Sequence, residues 1–65
     1  MKILLEKIMH DRDLSVRQVS ILTGVSKSTI NRIVNGKTSP TADTLEELAR
    51  GLAIHISDLI DSPYK

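Results

Sequence analysis

Residues 15–37 read Ser15-Val16-Arg17-Gln18-Val19-Ser20-Ile21-Leu22-Thr23-Gly24-Val25-Ser26-Lys27-Ser28-Thr29-Ile30-Asn31-Arg32-Ile33-Val34-Asn35-Gly36-Lys37, two short amphipathic segments with a stop after each. Ser15 stands three residues before Gln18, the spacing at which a hydroxyl accepts from a free backbone N–H at a helix start. Val16, Val19, Leu22 and Thr23 continue the apolar side, and Gly24 follows directly. Glycine adopts the left-handed conformation that closes a helix without a steric penalty, so this helix runs for about eight residues. Ser26 caps the next one, whose apolar side is Ile30, Ile33 and Val34. Asn35-Gly36 then repeats the stop. Asn-Gly is also a hairpin signal, but the three-and-four spacing before it and the lack of an alternating strand after it favour the helical reading.

The flanks keep the same periodicity. Leu4, Leu5 and Ile8, with Met1 and Met9 beside them, make one face of a helix that ends at Asp11 to Asp13. After Gly36, Lys37-Thr38-Ser39-Pro40 is a polar connection, and the proline biases Ser39 away from helix. Thr41 caps a fourth helix with Leu45, Leu48, Ala49 and Leu52 on its apolar side. Asp43, Glu46 and Glu47 lie in its first turns, where negative charge complements the helix dipole. A fifth short helix carries Ile56, Leu59 and Ile60, and residues 61–65 are expected to fray. Tyr64 is the single aromatic and no stretch alternates for long, so strands are not expected. The reading is all-α, a compact five-helix bundle forming a single domain over residues 1–65.

With 65 residues the core must be small, and a large active-site cleft is not expected. The absence of cysteine excludes a disulfide framework, a thiolate metal site and a cysteine nucleophile, and a reducing cytosol fits best. Hydrophobic residues at 40% and charged residues at 26% place the chain among folded globular proteins. No apolar run approaches the roughly 18 residues of a membrane span. Met1-Lys2-Ile3-Leu4-Leu5-Glu6-Lys7 meets charge too early for a signal peptide, so the chain is expected to be unexported. His10 and His55 lack the spaced partners of a metal site. No Gly-x-Ser-x-Gly elbow, Ser-x-x-Lys pair or glycine-rich phosphate loop occurs. Neither an enzyme nor a bound metal or cofactor is expected.

The net charge of +1 conceals a segregation. Residues 1–13 balance, residues 14–40 carry Arg17, Lys27, Arg32 and Lys37 with no acid, and residues 41–65 carry two bases against five acids. A polyanion responds to the field of one surface, so the acid-free middle is where a nucleic-acid face is sought. Helix, turn at Gly24-Val25 and second helix, with Val19, Val25, Ile30 and Ile33 apolar, is the arrangement of a helix-turn-helix over about residues 16–35. Gly24 reverses the chain, Val25 fills the gap between the helices, and the small Ser20 leaves room for a close crossing. The outer face of the second helix then has no apolar duty. It holds Ser26, Lys27, Ser28, Asn31, Arg32 and Asn35, donors and acceptors suited to base edges and phosphates. A merely solvated face would usually include an acid, and this one has none.

From Leu4 to Ile60 the chain resembles the Xre-like, Cro and phage-repressor type helix-turn-helix domains of bacteria and their phages. The resemblance is carried by Leu14-Ser15, by Val19-Ser20 before Gly24-Val25-Ser26-Lys27-Ser28-Thr29-Ile30-Asn31-Arg32-Ile33, by Asn35-Gly36-Lys37 and Pro40, and by Thr44-Leu45-Glu46-Glu47-Leu48-Ala49 with Leu52. It implies a lambda-repressor-like five-helix fold, a count the periodicity reaches independently. It also implies that Lys27, Ser28 and Arg32 face base edges in the major groove of double-stranded DNA, and that Asn35 and Lys37 lie near phosphate. Lys27 and Arg32 become the candidates for guanine O6 and N7, Ser28 a less selective partner, and Asn31 a further base or phosphate contact. Ser26 and Arg17, near helix N-termini, are candidate phosphate contacts. For Arg17, an exposed charge with no duty is the competing reading.

Three positions depart from the family pattern. Val16 stands where members commonly have a backbone-contacting glutamine, so one phosphate anchor is expected to be missing. Met9 and Val34 occupy positions where many members pair an arginine with a glutamate, and both being apolar implies a hydrophobic contact in place of the ion pair. Gly51 lies inside helix four while Ala53 takes the usual glycine stop, which is expected to weaken that helix by up to about 1 kcal/mol.

The function implied is a sequence-specific transcriptional regulator, expected to be a repressor, cytoplasmic and bacterial or phage-encoded. One such domain reads only about four or five base pairs, so a homodimer on a pseudo-palindromic operator is expected. Ile54, Ile56, Ile60 and Tyr64 are the candidate dimer interface, the alternative being that they close the core. No small-molecule effector is evident. The rival function is a protein-binding adaptor or antitoxin-like partner that retains the fold and uses its apolar C-terminal surface.

Overall fold

Five helices form, the middle three where their caps place them, and a two-stranded pairing that no sequence signal announced ties the ends together. In the computed structural model, which describes residues 1–64, the order is β1 (Lys2–Ile3), α1 (Leu5–Asp11), α2 (Val16–Thr23), α3 (Lys27–Val34), α4 (Ala42–Leu52), α5 (Ile56–Leu59) and β2 (Ile60–Asp61). Lys65, part of the tail expected to fray, lies outside the described residues.

Each predicted cap is made. Ser15 Oγ accepts from the Gln18 N–H at 3.1 Å while Gln18 Oε1 accepts from the Ser15 N–H at 2.8 Å, completing the capping box of α2. Ser26 Oγ accepts from the Thr29 N–H at 3.2 Å, and Thr41 Oγ1 from the Thr44 N–H at 3.1 Å. Helix ends also share one device, a left-handed residue followed by an N–H that reaches back to the carbonyl five positions earlier. Leu14 N–H bonds Met9 O at 2.8 Å across Asp13, Lys37 N–H bonds Arg32 O at 2.9 Å across Gly36, and Ile54 N–H bonds Ala49 O at 2.9 Å across Ala53.

Ala53 thus takes the left-handed role without being glycine, at φ 57° and ψ 45°. An L-residue there pays roughly 1–2 kcal/mol in Cβ–carbonyl crowding, part of which glycine returns through its larger unfolded-state freedom. Ala53 is exposed, so the methyl packs against little. Ala53→Gly is expected to raise stability by about 0.5 kcal/mol, seen as a thermal midpoint a few degrees higher. A lowered midpoint would mean that the exit from α4 is not strained.

Leu5, Val19, Ile30, Leu48 and Leu59 are fully buried, one from each helix, with Met9, Val25, Ile33, Leu45, Ala49 and Leu52 completing the core. Burial of five such side chains from five separate helices explains why no helix here stands alone: each supplies one wall and is too short to be stable in isolation. Met9 belongs to this core and Val34 packs against it, so both positions of the replaced ion pair serve the apolar interior.

Several expectations are corrected. The first helix begins at Leu5, and Met1, read as part of its apolar face, is 71% exposed. Lys2–Ile3 instead pairs antiparallel with Ile60–Asp61, in the register Lys2 to Asp61 and Ile3 to Ile60, and the Leu4 N–H donates to Leu59 O at 2.7 Å. Ile60 is therefore extended rather than helical, and Asp61 is paired rather than frayed. Two-residue strands are too short to show alternation; tertiary proximity of the chain ends creates them. Leu22, read as core-facing, is exposed, as is Ile21; the buried residues of α2 are Val19 and Thr23, and α4 meets α2 at Thr23 and the Leu22 backbone, through Gly51.

Candidate nucleic-acid interface

The interface is assembled from the α2 start, the turn, α3 and the connection after it. The turn is held by side chains of α2. Ser20 Oγ donates to Val25 O at 2.7 Å, Thr23 Oγ1 donates to Val19 O at 2.7 Å, and the same Thr23 oxygen accepts from the Val25 N–H at 3.2 Å. Gly24, at φ 77°, donates its N–H to Ser20 O at 2.9 Å. Val25 itself is buried. Ser20 thus does more than leave space: its hydroxyl fixes the carbonyl immediately before the α3 cap. A serine five residues before the turn valine was a readable signal, but its partner was not.

On α3, Ile30 and Ile33 face the core while Lys27, Ser28, Asn31 and Arg32 are exposed. Positions 27, 28, 31, 32 and 35 follow helical spacing, so Asn35 continues the same stripe. The structure brings together on this stripe all four residues expected to read bases. Their side chains make no hydrogen bond or ion pair among the described residues, leaving every donor available. An α-helix with its side chains is about 10–12 Å across, which suits the roughly 12 Å width of the major groove of B-DNA.

The phosphate candidates differ more. Arg17 is exposed in the first turn of α2, a helix with no acid in that turn. Lys37 is exposed, and its position follows from Gly36, because the Lys37 N–H is tied back to Arg32 O. Asn35 is the exposed C-cap of α3. Ser26 is exposed, but its hydroxyl is already used: it accepts from the Thr29 N–H and donates to Thr29 Oγ1 at 2.8 Å. Any phosphate contact at the α3 start therefore falls to the first backbone N–H groups rather than to the Ser26 hydroxyl. Val16, at the position of the missing glutamine anchor, is half-buried and packs against the core.

Of the four candidate interface residues in the C-terminal region, Ile54 and Ile60 are half-buried and pack on the core, whereas Ile56 is 41% and Tyr64 94% exposed. Sequence reasoning missed Arg12, whose Nη1 donates to Leu52 O at 2.7 Å and ties the α1 exit to the end of α4. No group of three or more histidine or acidic side chains able to hold a metal occurs among the described residues. No helix among them is long and apolar enough to cross a membrane.

Comparison with known proteins agrees with this geometry. The profile of the Cro/C1-type HTH DNA-binding domain matches residues 4–63. The chain is also similar to the HTH-type transcriptional regulator SutR of Escherichia coli (strain K12), at 34% identity over 59 residues, 91% of this chain and 33% of the relative. The chain thus spans about a third of the length of that relative. No solved structure matches significantly. Five helices around one core, a capped helix-turn-helix and a profile match over nearly the whole length lead to one conclusion: the chain belongs to the Cro/C1-type helix-turn-helix DNA-binding domain family.

Proposed function

We propose that this protein is a sequence-specific transcriptional repressor that acts as a homodimer in the cytoplasm and inserts α3 into the major groove. The observation that carries the reading is the exposed, acid-free and unengaged stripe of Lys27, Ser28, Asn31 and Arg32 on a helix capped and held by the turn before it. Lys27 and Arg32 read guanine edges, Ser28 and Asn31 add less selective contacts, and Arg17, Asn35, Lys37 and the α3 N-terminus at Ser26 hold the phosphates. A helix this short meets about four or five base pairs, and selecting one site among a genome of competitors needs two such half-sites. The exposed Ile56 and Tyr64 are the part of the C-terminal surface available to a second copy, with Ile54 and Ile60 supporting them from the core. Residues 1–65 act in this reading as one DNA-binding domain.

Salt dependence tests the proposal. With three or four phosphates neutralised per subunit, a dimer should give a slope of about −5 to −7 in a plot of log affinity against log salt. Lys37→Ala should make that slope shallower and weaken binding to all duplexes alike. A nearly flat salt response would contradict the DNA reading and favour a protein partner on the apolar C-terminal surface.

A further inference from the structure

Beyond the eight residues assigned above, the strand pairing of the chain ends sets one more basic side chain, Lys2, in a groove beside the connection that follows α3. We propose that Lys2 is a phosphate-contacting residue, carried to the rim of the recognition surface by β1. The inference rests on the DNA reading of the preceding section.

The register Ile3 to Ile60, together with the 2.7 Å hydrogen bond from the Leu4 N–H to Leu59 O, fixes β1 against the body of the protein. That placement makes a groove with Lys2 and Glu6 on one wall and Val34, Gly36, Thr38 and Ser39 on the other. The second wall is the connection leaving α3, which also presents Asn35 and Lys37. Gly36 and Thr38 of that wall are chain neighbours of Asn35 and Lys37, so a phosphate strand held by those two residues would pass beside the groove that Lys2 lines. Lys2 is exposed, and its ammonium has no ion-pair partner among the described residues. Two acids lie beside it: Glu6, which lines the same groove, and Asp61, its cross-strand partner. Both are exposed carboxylates, and exposed pairs of this kind hold a lysine only weakly, so a phosphate can compete for it. Thr38 and Ser39 are uncharged, and nothing on that wall repels an anion.

The test compares Lys2→Gln with Lys7→Gln, which removes the same charge from an exposed α1 position outside this groove. Affinity is measured at several salt concentrations on one selected duplex and one unrelated duplex, with unfolding midpoints measured alongside. The expected result is a log–log slope shallower by about 0.9 per subunit for Lys2→Gln, a similar loss on both duplexes, a slope restored by Lys2→Arg, and little change for Lys7→Gln. Equal effects of the two glutamine variants, or an unchanged slope for Lys2→Gln, would overturn the assignment of Lys2 while leaving the DNA function standing. Failure of the unsubstituted protein to bind either duplex would overturn both.

Discussion

Gly51→Ala is expected to destabilise the protein by about 2 kcal/mol, lowering its thermal midpoint by roughly 10 °C. Judged by helix propensity alone the substitution should help, by up to about 1 kcal/mol. The packing decides otherwise. A Cβ built on Gly51 meets Leu22 O at 2.5 Å, Thr23 Cα at 2.6 Å and Thr23 Cγ2 at 2.7 Å. Two of those neighbours are backbone, so no side chain can rotate out of the way and α2 must move off α4. That movement would also disturb Thr23, which holds the turn through Val19 O and the Val25 N–H. The departure that looked like a weak point of α4 is instead what permits the close crossing of the two helices. Urea or thermal unfolding of the variant checks this, and an unchanged or higher midpoint would mean that α2 and α4 are not in backbone contact at this position.

Arg32→Ala is expected to weaken binding to the preferred duplex by about 1–3 kcal/mol, roughly 5- to 150-fold, and to flatten the preference at one base position in each half-site. Arg32 is exposed and engaged by nothing within the described residues, so the unfolding midpoint should scarcely change. Titrations against duplexes carrying each of the four bases at every half-site position separate this from a general loss of charge, which would lower all affinities together. Intact affinity with intact preference would remove Arg32 from the reading of bases.

Much of this was legible from local chemistry. Ser15 with Gln18, Ser26 and Thr41 announced helix starts, and Gly24 and Gly36 announced ends, because capping depends on residues only a few positions apart. Burial of Val19, Val25, Ile30 and Ile33 followed from spacing, and exposure of the α3 stripe followed as its complement. What escaped the reading depends on distant parts of the chain. The pairing of Lys2–Ile3 with Ile60–Asp61 joins segments almost a chain length apart, and two residues per strand carry no pattern. The bond from Arg12 to Leu52 O spans forty positions. Ala53 in the left-handed region is stabilised by its surroundings against its own preference, and the exposure of Leu22 is set by which side of α2 meets α4. At the candidate site, residue types foretold which side chains face outward, but only the hydrogen bonds revealed that the Ser26 hydroxyl is already spent on Thr29.

Whether α3 reads DNA within a dimer is decided by selection of binders from a random duplex pool by the purified protein at near-physiological salt. Enrichment of an inverted repeat whose half-sites lie about one helical turn, roughly 10 base pairs, apart from centre to centre is the expected result. A folded protein that enriches no sequence at all would contradict it.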